Sequence, residues 1–311
     1  MTGGYRPLFD PARAEQSADP ARMTRRGDAP PAGGYVYDDE GRIALAVNVA
    51  LAAGRPLLIR GNPGTGKSSL ARDVAERFGW RYYEKTITSR TTARDLMWTF
   101  DAVRRLNDAN AGGAEDARAY LTPEALWWAF SPATARTRGL DAAALAERGL
   151  QEVSDPSPRP GERAVVLLDE IDKADPDLPN DLLIPLGALR FTLAGLEDSP
   201  LIEAETAPLV FITTNEERDL PRAFLRRCVV LALPDPGRER MLAVARAHFP
   251  RVSEDRLSEV RAAFTRLKAG RAPDDHDPGL AEYLDAVAAV AGLGDGDWAQ
   301  IMEFTLGKPA P

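Results

Sequence analysis

The chain has 311 residues, is 44% hydrophobic, and carries a formal net charge of −8 from 39 basic and 47 acidic residues. That balance argues against general binding to nucleic acid or anionic membranes, and the lack of any apolar run near 18 residues argues against a transmembrane helix. One cysteine, Cys228, excludes an internal disulfide framework; with only two scattered histidines, His248 and His276, it also disfavours a zinc site, and a reducing cytoplasm fits best.

Residues 1–34, rich in Pro, Gly, Ala, Asp and Arg and without apolar periodicity, read as a flexible arm that bears the basic cluster 22–26. The first residues lack the basic-then-apolar layout of a signal peptide. Ile43, Ala44, Val47 and Leu51 then have helical spacing, and Gly54 is a suitable stop. A short strand follows at 56–60, a helix at 68–78, and a second strand at 81–88. Helices are expected at 93–106, 123–130 and 140–153, the last within a loop-rich stretch. Ala164 to Leu168 is wholly apolar, as a strand buried on both faces should be. A hairpin over 191–205 turns at 195–200, and 209–213 and 229–233 are further buried strands. After Pro234-Asp235-Pro236 only helical patterns remain, over 237–306. Strands alternating with helices predict an α/β fold with a parallel sheet over 35–234, followed by a second, helical domain over 235–311.

The strand at 56–60 runs directly into GNPGTGKS, Gly61 to Ser68, which matches G-x-x-x-x-G-K-[ST] and opens a helix. Phosphate chemistry explains the pattern. Glycines let the backbone wrap round phosphate oxygens, while the N–H groups of Gly61, Asn62, Pro63-flanked Gly64, Thr65, Gly66, Lys67, Ser68 and Ser69 supply positive potential at a helix start. Lys67 is expected to reach the β- and γ-phosphates, and the Ser68 hydroxyl to coordinate Mg²⁺. The chain is sparing with lysine, with only Lys67, Lys85, Lys173, Lys268 and Lys308, which adds weight to its presence here.

The next apolar strand ends in AVVLLDEIDK. Asp169, at its tip, suits the Mg²⁺ water shell, and Glu170 suits a general base that activates water. Asp172 and Lys173 follow as supporting or interface groups without an assigned role. The strand after that ends in Thr213-Thr214-Asn215, whose amide can orient the lytic water or meet the γ-phosphate; the competing reading is a turn or helix cap. Finally, Phe224-Leu225-Arg226-Arg227-Cys228 places two guanidinium groups between apolar stretches. Burying one without a partner is costly, so an anion is expected opposite, unless both make surface salt bridges.

In order and spacing, Gly61–Ser68, Val165–Asp172, Thr213–Asn215 and Phe224–Arg227 resemble the motifs of AAA+ ATPases. The stretch DEIDKADPDLPNDLLIPLGALRF, a hairpin and then TTN are similar to the MoxR branch in particular. The resemblance spans about residues 36–290. It implies a three-layer αβα core with a five-stranded parallel sheet, a small all-helical lid, ATP with Mg²⁺ as cofactor, and a homo-oligomeric ring, commonly hexameric. It also implies remodelling of a partner protein, often one with a von Willebrand factor A domain. Arg227, with Arg226 as second choice and Arg222 third, is then the finger that reaches the γ-phosphate held by a neighbouring copy. A phosphate loop does not separate ATP from GTP, so ATP follows from the resemblance alone.

The lid cation of the family falls on His276 here, with Arg271 as substitute; the competing reading of His276 is a plain solvent-exposed side chain. The aromatics of the insertion 89–130, Trp98, Phe100, Trp127, Trp128 and Phe130, are either core or, by resemblance, grips near a central pore; helical spacing favours core. Two other function classes stay open: an ATP-driven oligomerising switch or scaffold with slow hydrolysis, and a nucleic-acid motor, which the acidic charge disfavours.

Overall fold

The computed structural model describes residues 8–11, 34–38, 40–112, 116–196, 200–269, 279–293 and 305. Helix α1 (Arg42–Ala53) ends at Gly54 in the left-handed conformation and leads to β1 (Leu57–Arg60), α2 (Lys67–Phe78) and β2 (Arg81–Thr86). An insertion then holds α3 (Ala93–Met97), β3 (Trp98–Phe100), α4 (Ala102–Asn110), β4 (Leu121–Pro123), α5 (Ala125–Phe130), α6 (Pro132–Arg136) and α7 (Ala142–Glu147). The core resumes with β5 (Ala164–Asp169), α8 (Leu178–Asp181), α9 (Leu183–Ala188), the hairpin β6 (Arg190–Thr192) and β7 (Leu201–Glu203), β8 (Leu209–Thr214), α10 (Arg222–Leu225) and β9 (Val229–Ala232). Helices α11 (Arg238–His248), α12 (Glu254–Ala269) and α13 (Leu280–Leu293) complete the chain.

The five main strands form one sheet in the order β2-β5-β8-β1-β9, every pair parallel. Period-two alternation divides their side chains between two cores. Leu57, Ile59, Val165, Leu167, Leu209 and Phe211 pack against α1 and α2 on one face. Leu58, Val166, Leu168, Val210 and Ile212 pack on the other face with Trp127, Trp128 and Phe130 of α5. A separate cluster that includes Met241, Leu257, Val260, Phe264, Tyr283 and Val287 unites α11, α12 and α13. The expected five-stranded parallel sheet, followed by helices, is therefore the fold.

Local expectations were refined in three places. The helix expected over 93–106 is interrupted by a strand, because Trp98-Thr99-Phe100 pairs antiparallel with 121–123; Thr92 caps the first half in a capping box, and Asp101 caps the second. The helix expected over 140–153 is only Ala142–Glu147, stopped before Gly149 in the left-handed conformation. Trp98, Trp127, Trp128 and Phe130 are buried, so these aromatics are core.

Within the stretch expected to be an arm, residues 8–11 are docked. Phe9 is buried with its ring between those of Tyr37 and Phe78. Buried Asn48 of α1 accepts from the N–H groups of Leu8 and Phe9 at 2.5 and 2.7 Å, and donates back to Phe9 O at 2.8 Å. The cluster 22–26 lies outside the described residues.

Candidate nucleotide site

The site lies at the C-terminal ends of β1, β5 and β8, where parallel strands release their loops on one edge. Gly61 leaves β1 at φ 148° so close to Leu233 O that a Cβ would collide with that carbonyl, so only glycine fits. Gly66, at φ 89°, precedes α2 and turns the N–H groups of its first turn toward the loop. Asn62 Nδ2 donates to both Asp235 carboxylate oxygens at 3.0 Å, fastening the loop to the segment before α11.

Lys67 is buried, and its Nζ donates to Gly61 O at 2.7 Å, Asn62 O at 2.8 Å and Asn215 Oδ1 at 2.7 Å. Burial lowers its pKa, an effect opposed by Asp169, Asp172, Glu170 and Glu216. Ser68 Oγ donates to the Asp169 carboxylate at 2.9 and 3.0 Å. The carboxylate also accepts from Thr213 Oγ1. Burial raises the Asp169 pKa against those two hydrogen bonds.

Glu170 follows with φ 62° and ψ 53°, a left-handed backbone unusual for a residue with a side chain. Its N–H is held by Thr213 Oγ1 at 2.9 Å. One carboxylate oxygen lies 2.8 Å from Lys173 Nζ, and the other 3.4 Å from Asn215 Nδ2. Strain of this kind costs about 1–3 kcal/mol and persists where neighbours over-determine it. Here Thr213, Lys173 and Asn215 do so.

Two supporting residues were not assigned a role from sequence. Thr213 is fully buried and bridges Asp169 to the Glu170 backbone. Asp172 is buried and accepts from the N–H groups of Asn215 and Glu217, both at 3.0 Å, so it shapes the turn that presents the Asn215 amide. The only hint was their place in DEID and TTN; their contacts span 43 to 45 residues.

Lys67, Ser68, Asp169, Glu170 and Asn215 thus converge, with Pro63–Ser69, on one cavity of about 340 Å³, within the range of small-molecule sites. Tyr35, Val36, Arg240, Val244, His248, Leu280, Ala281 and Leu284 line the rest of it. Arg226 and Arg227 do not. Both are exposed; Arg227 Nη1 donates to Leu183 O at 3.2 Å, and Arg226 O accepts from Arg55 at 3.2 Å. Neither has a carboxylate partner among the described residues. Arg271 and His276 lie outside the described residues.

A hydroxyl beside a carboxylate is a hard-oxygen donor set suited to Mg²⁺. No group of three or more His, Cys, Asp or Glu among the described residues is placed to hold a metal by itself. Such an ion would depend on Ser68, Asp169 and the phosphate oxygens, as Mg²⁺ commonly does.

Residues 56–228, more than half of the chain, match the family model of the AAA domain (dynein-related subfamily). The chain belongs to the AAA ATPases. The MoxR-type AAA+ resemblance of the sequence is thereby met at the level of the family. Two solved structures align with this AAA ATPase. One is a candidate ATPase from Cytophaga hutchinsonii, 14% identical, TM-score 0.42, covering 85% of this chain and 79% of that one. The other is a mutant of RuvB from Thermotoga maritima, 13% identical, TM-score 0.47, covering 87% and 70%. None of the curated proteins matches the sequence. No helix among the described residues is long and apolar enough to cross a membrane.

Proposed function

We propose that the protein hydrolyses ATP with Mg²⁺ as a ring of identical copies, and uses the cycle to remodel or activate a partner protein. The observation that carries this is the division of the catalytic set. Lys67, Ser68, Asp169, Glu170 and Asn215 meet at one cavity, whereas the exposed Arg226 and Arg227 stand outside it. A finger that its own chain cannot use is available to the next copy.

In this reading the backbone N–H groups of Gly61–Ser69 and the Lys67 ammonium bind the phosphates. Ser68 and Asp169 would hold Mg²⁺, which would supply neutralisation of phosphate charge. Glu170 takes a proton from the attacking water, Asn215 orients that water, and Arg227, or Arg226 beside it, steadies the charge of the transferred phosphoryl group in the neighbouring copy. Residues 35–234 form the nucleotide-binding core, 235–311 the lid, and 1–34 an arm anchored at Phe9. By resemblance the ring is hexameric, the partner carries a von Willebrand factor A domain, and the protein works in the cytoplasm. A partner gripped by the insertion would meet Val103 and Leu106 of α4, which are exposed, rather than the buried tryptophans.

The test is phosphate release with and without Mg²⁺, for the wild type and Glu170→Gln. The expected result is Mg²⁺-dependent turnover, a loss of about 100-fold or more in the variant, and ATP binding retained. Turnover unchanged in Glu170→Gln would remove the base assignment.

The second reading, an oligomerising switch with slow hydrolysis, is favoured by the Lys173–Glu170 contact at 2.8 Å, which occupies one carboxylate oxygen of the base assigned above. Lys173→Ala separates the two. Faster basal turnover points to a restrained switch, and unchanged or slower turnover to a constitutive motor.

A further inference from the structure

On the sheet face that packs α1 and α2, the aromatic rings of Trp80, Phe78, Phe9, Tyr37 and Tyr35 form one row. Trp80 and Phe78 stack with centroids 4.3 Å apart, and the Arg163 guanidinium lies over Trp80 at 4.3 Å. Phe9 stands 5.2 Å from Phe78 and 5.8 Å from Tyr37, and Tyr37 meets Tyr35 edge-on at 5.1 Å. The row ends on the phosphate loop, where a Cβ on Gly66 would stand 3.2 Å from Tyr35 Cε2. Tyr35 lines the nucleotide cavity and Phe9 does not. A buried carboxylate follows the same path. Asp73 of α2 accepts from the Tyr35 N–H at 2.9 Å, Tyr37 OH at 2.7 Å and Arg77 Nε at 2.6 Å. Arg77 Nη1 donates to Pro11 O at 2.6 Å, so residues 8–11 are held at one end by Asn48 and at the other by Arg77.

We infer that residues 8–11 are a positioning strap for the nucleotide site, with Phe9 as the residue that sets the Tyr37 and Tyr35 rings against the start of α2. The inference rests on the reading of the cavity as a nucleotide site. Residues 34–38 form neither helix nor strand, so side-chain anchors fix their place. Asp73 supplies the polar anchor and the Phe9 ring the apolar one. Burial and the Asp73 carboxylate push the Tyr37 phenol up, so it stays protonated and keeps its bond to Asp73. Without the Phe9 ring, a void would open between Phe78 and Tyr37, and neighbours relax into such a void. Phe78 closes helix α2, so the shift falls on the segment that holds Tyr37 and Tyr35. Gly66, at φ 89° and without a side chain, takes its packing from Tyr35. A fixed loop is what lets successive N–H groups meet phosphate. Phe9 therefore acts on phosphate affinity through two rings, without touching the ligand. Such coupling is reciprocal: strap docking strengthens nucleotide binding by the factor by which nucleotide strengthens docking.

The test titrates N-methylanthraniloyl-ADP into the full chain as wild type, Phe9→Ala, Phe9→Leu and Lys67→Ala, and follows amide hydrogen exchange at residues 8–11 with and without saturating ADP. Phe9→Ala should weaken binding by about fivefold or more, with Phe9→Leu, which refills most of the space, in between. ADP should slow exchange of the Leu8 and Phe9 N–H groups, which Asn48 holds, by a similar factor in the wild type and not in Lys67→Ala. A merely structural contact would lower Tm without moving Kd or the exchange ratio. Wild-type affinity in folded Phe9→Ala, with binding lost in Lys67→Ala, overturns the inference and leaves the nucleotide site standing. Exchange at residues 8–11 that ADP does not change overturns it as well, and decides the matter alone should Phe9→Ala fail to fold. No nucleotide binding by the wild type removes both readings.

Discussion

Lys67 Nζ and Asn215 Oδ1 stand 2.7 Å apart, joining the phosphate loop after β1 to the tip of the adjacent strand β8. The same amide reaches Glu170 through Nδ2 at 3.4 Å, so one side chain orders both the phosphate-binding cation and the acid. Asn215→Ala should lower kcat by about 100-fold while Kd for ATP changes by less than about fivefold. Steady-state turnover paired with equilibrium binding checks this, and an unchanged kcat would sever Asn215 from the chemistry.

Thr213 carries more than its size suggests. Thr213→Val keeps the shape but leaves the Glu170 N–H without its acceptor and takes from Asp169 one of its two hydroxyl donors, Ser68 being the other. The expected loss is about 1–3 kcal/mol of stability, together with a higher Mg²⁺ requirement. Urea melts and a Mg²⁺ titration of turnover measure the two effects, and Thr213→Ser, which keeps the hydroxyl, should recover the Mg²⁺ requirement.

Residues 8–11 belong to the folded body. Phe9→Ala removes a ring buried between Tyr37 and Phe78 and should cost about 3–5 kcal/mol, read as a lowered urea midpoint with an unchanged slope. A midpoint within error of the wild type would show that this segment contributes nothing in solution.

These examples show what the chain discloses by itself. The phosphate loop was legible because its function is local: eight consecutive residues, Gly61–Ser68, hold the whole pattern. The sheet was legible because uninterrupted apolar runs such as Ala164–Leu168 have few alternatives to a doubly covered strand. Thr213 and Asp172 were not, because each owes its role to partners that strand order β5-β8 brings alongside from over 40 residues away. Phe9 hid for a related reason: a lone aromatic in a Pro- and Ala-rich stretch has no periodicity, and the Asn48 amide that receives it lies on a helix 39 residues on. The broken helix at Trp98–Phe100 reflects tertiary pairing with 121–123 that outweighed local helical spacing.

Cys228 reports on the segment that bears the arginines. Burial pushes its thiol up from 9.0 to about 12. At pH 8 the native thiolate fraction is then about a thousandfold below that of the unfolded chain, and reaction with a disulfide reagent should slow accordingly. The folded state holds its proton longer than the unfolded one, so this group's contribution to stability falls as pH rises from 9.0 toward 12. Fast labelling of native protein at pH 8 would mean that the 222–228 segment opens readily.

The central claim is that the cavity of one copy is completed by an arginine of another. It is tested most directly by ATP turnover per subunit across a range of protein concentrations, for the wild type and Arg227→Ala. Turnover that rises with concentration in the wild type and stays low and flat in the variant is the predicted result. Turnover per subunit that is independent of concentration and the same in both would contradict it.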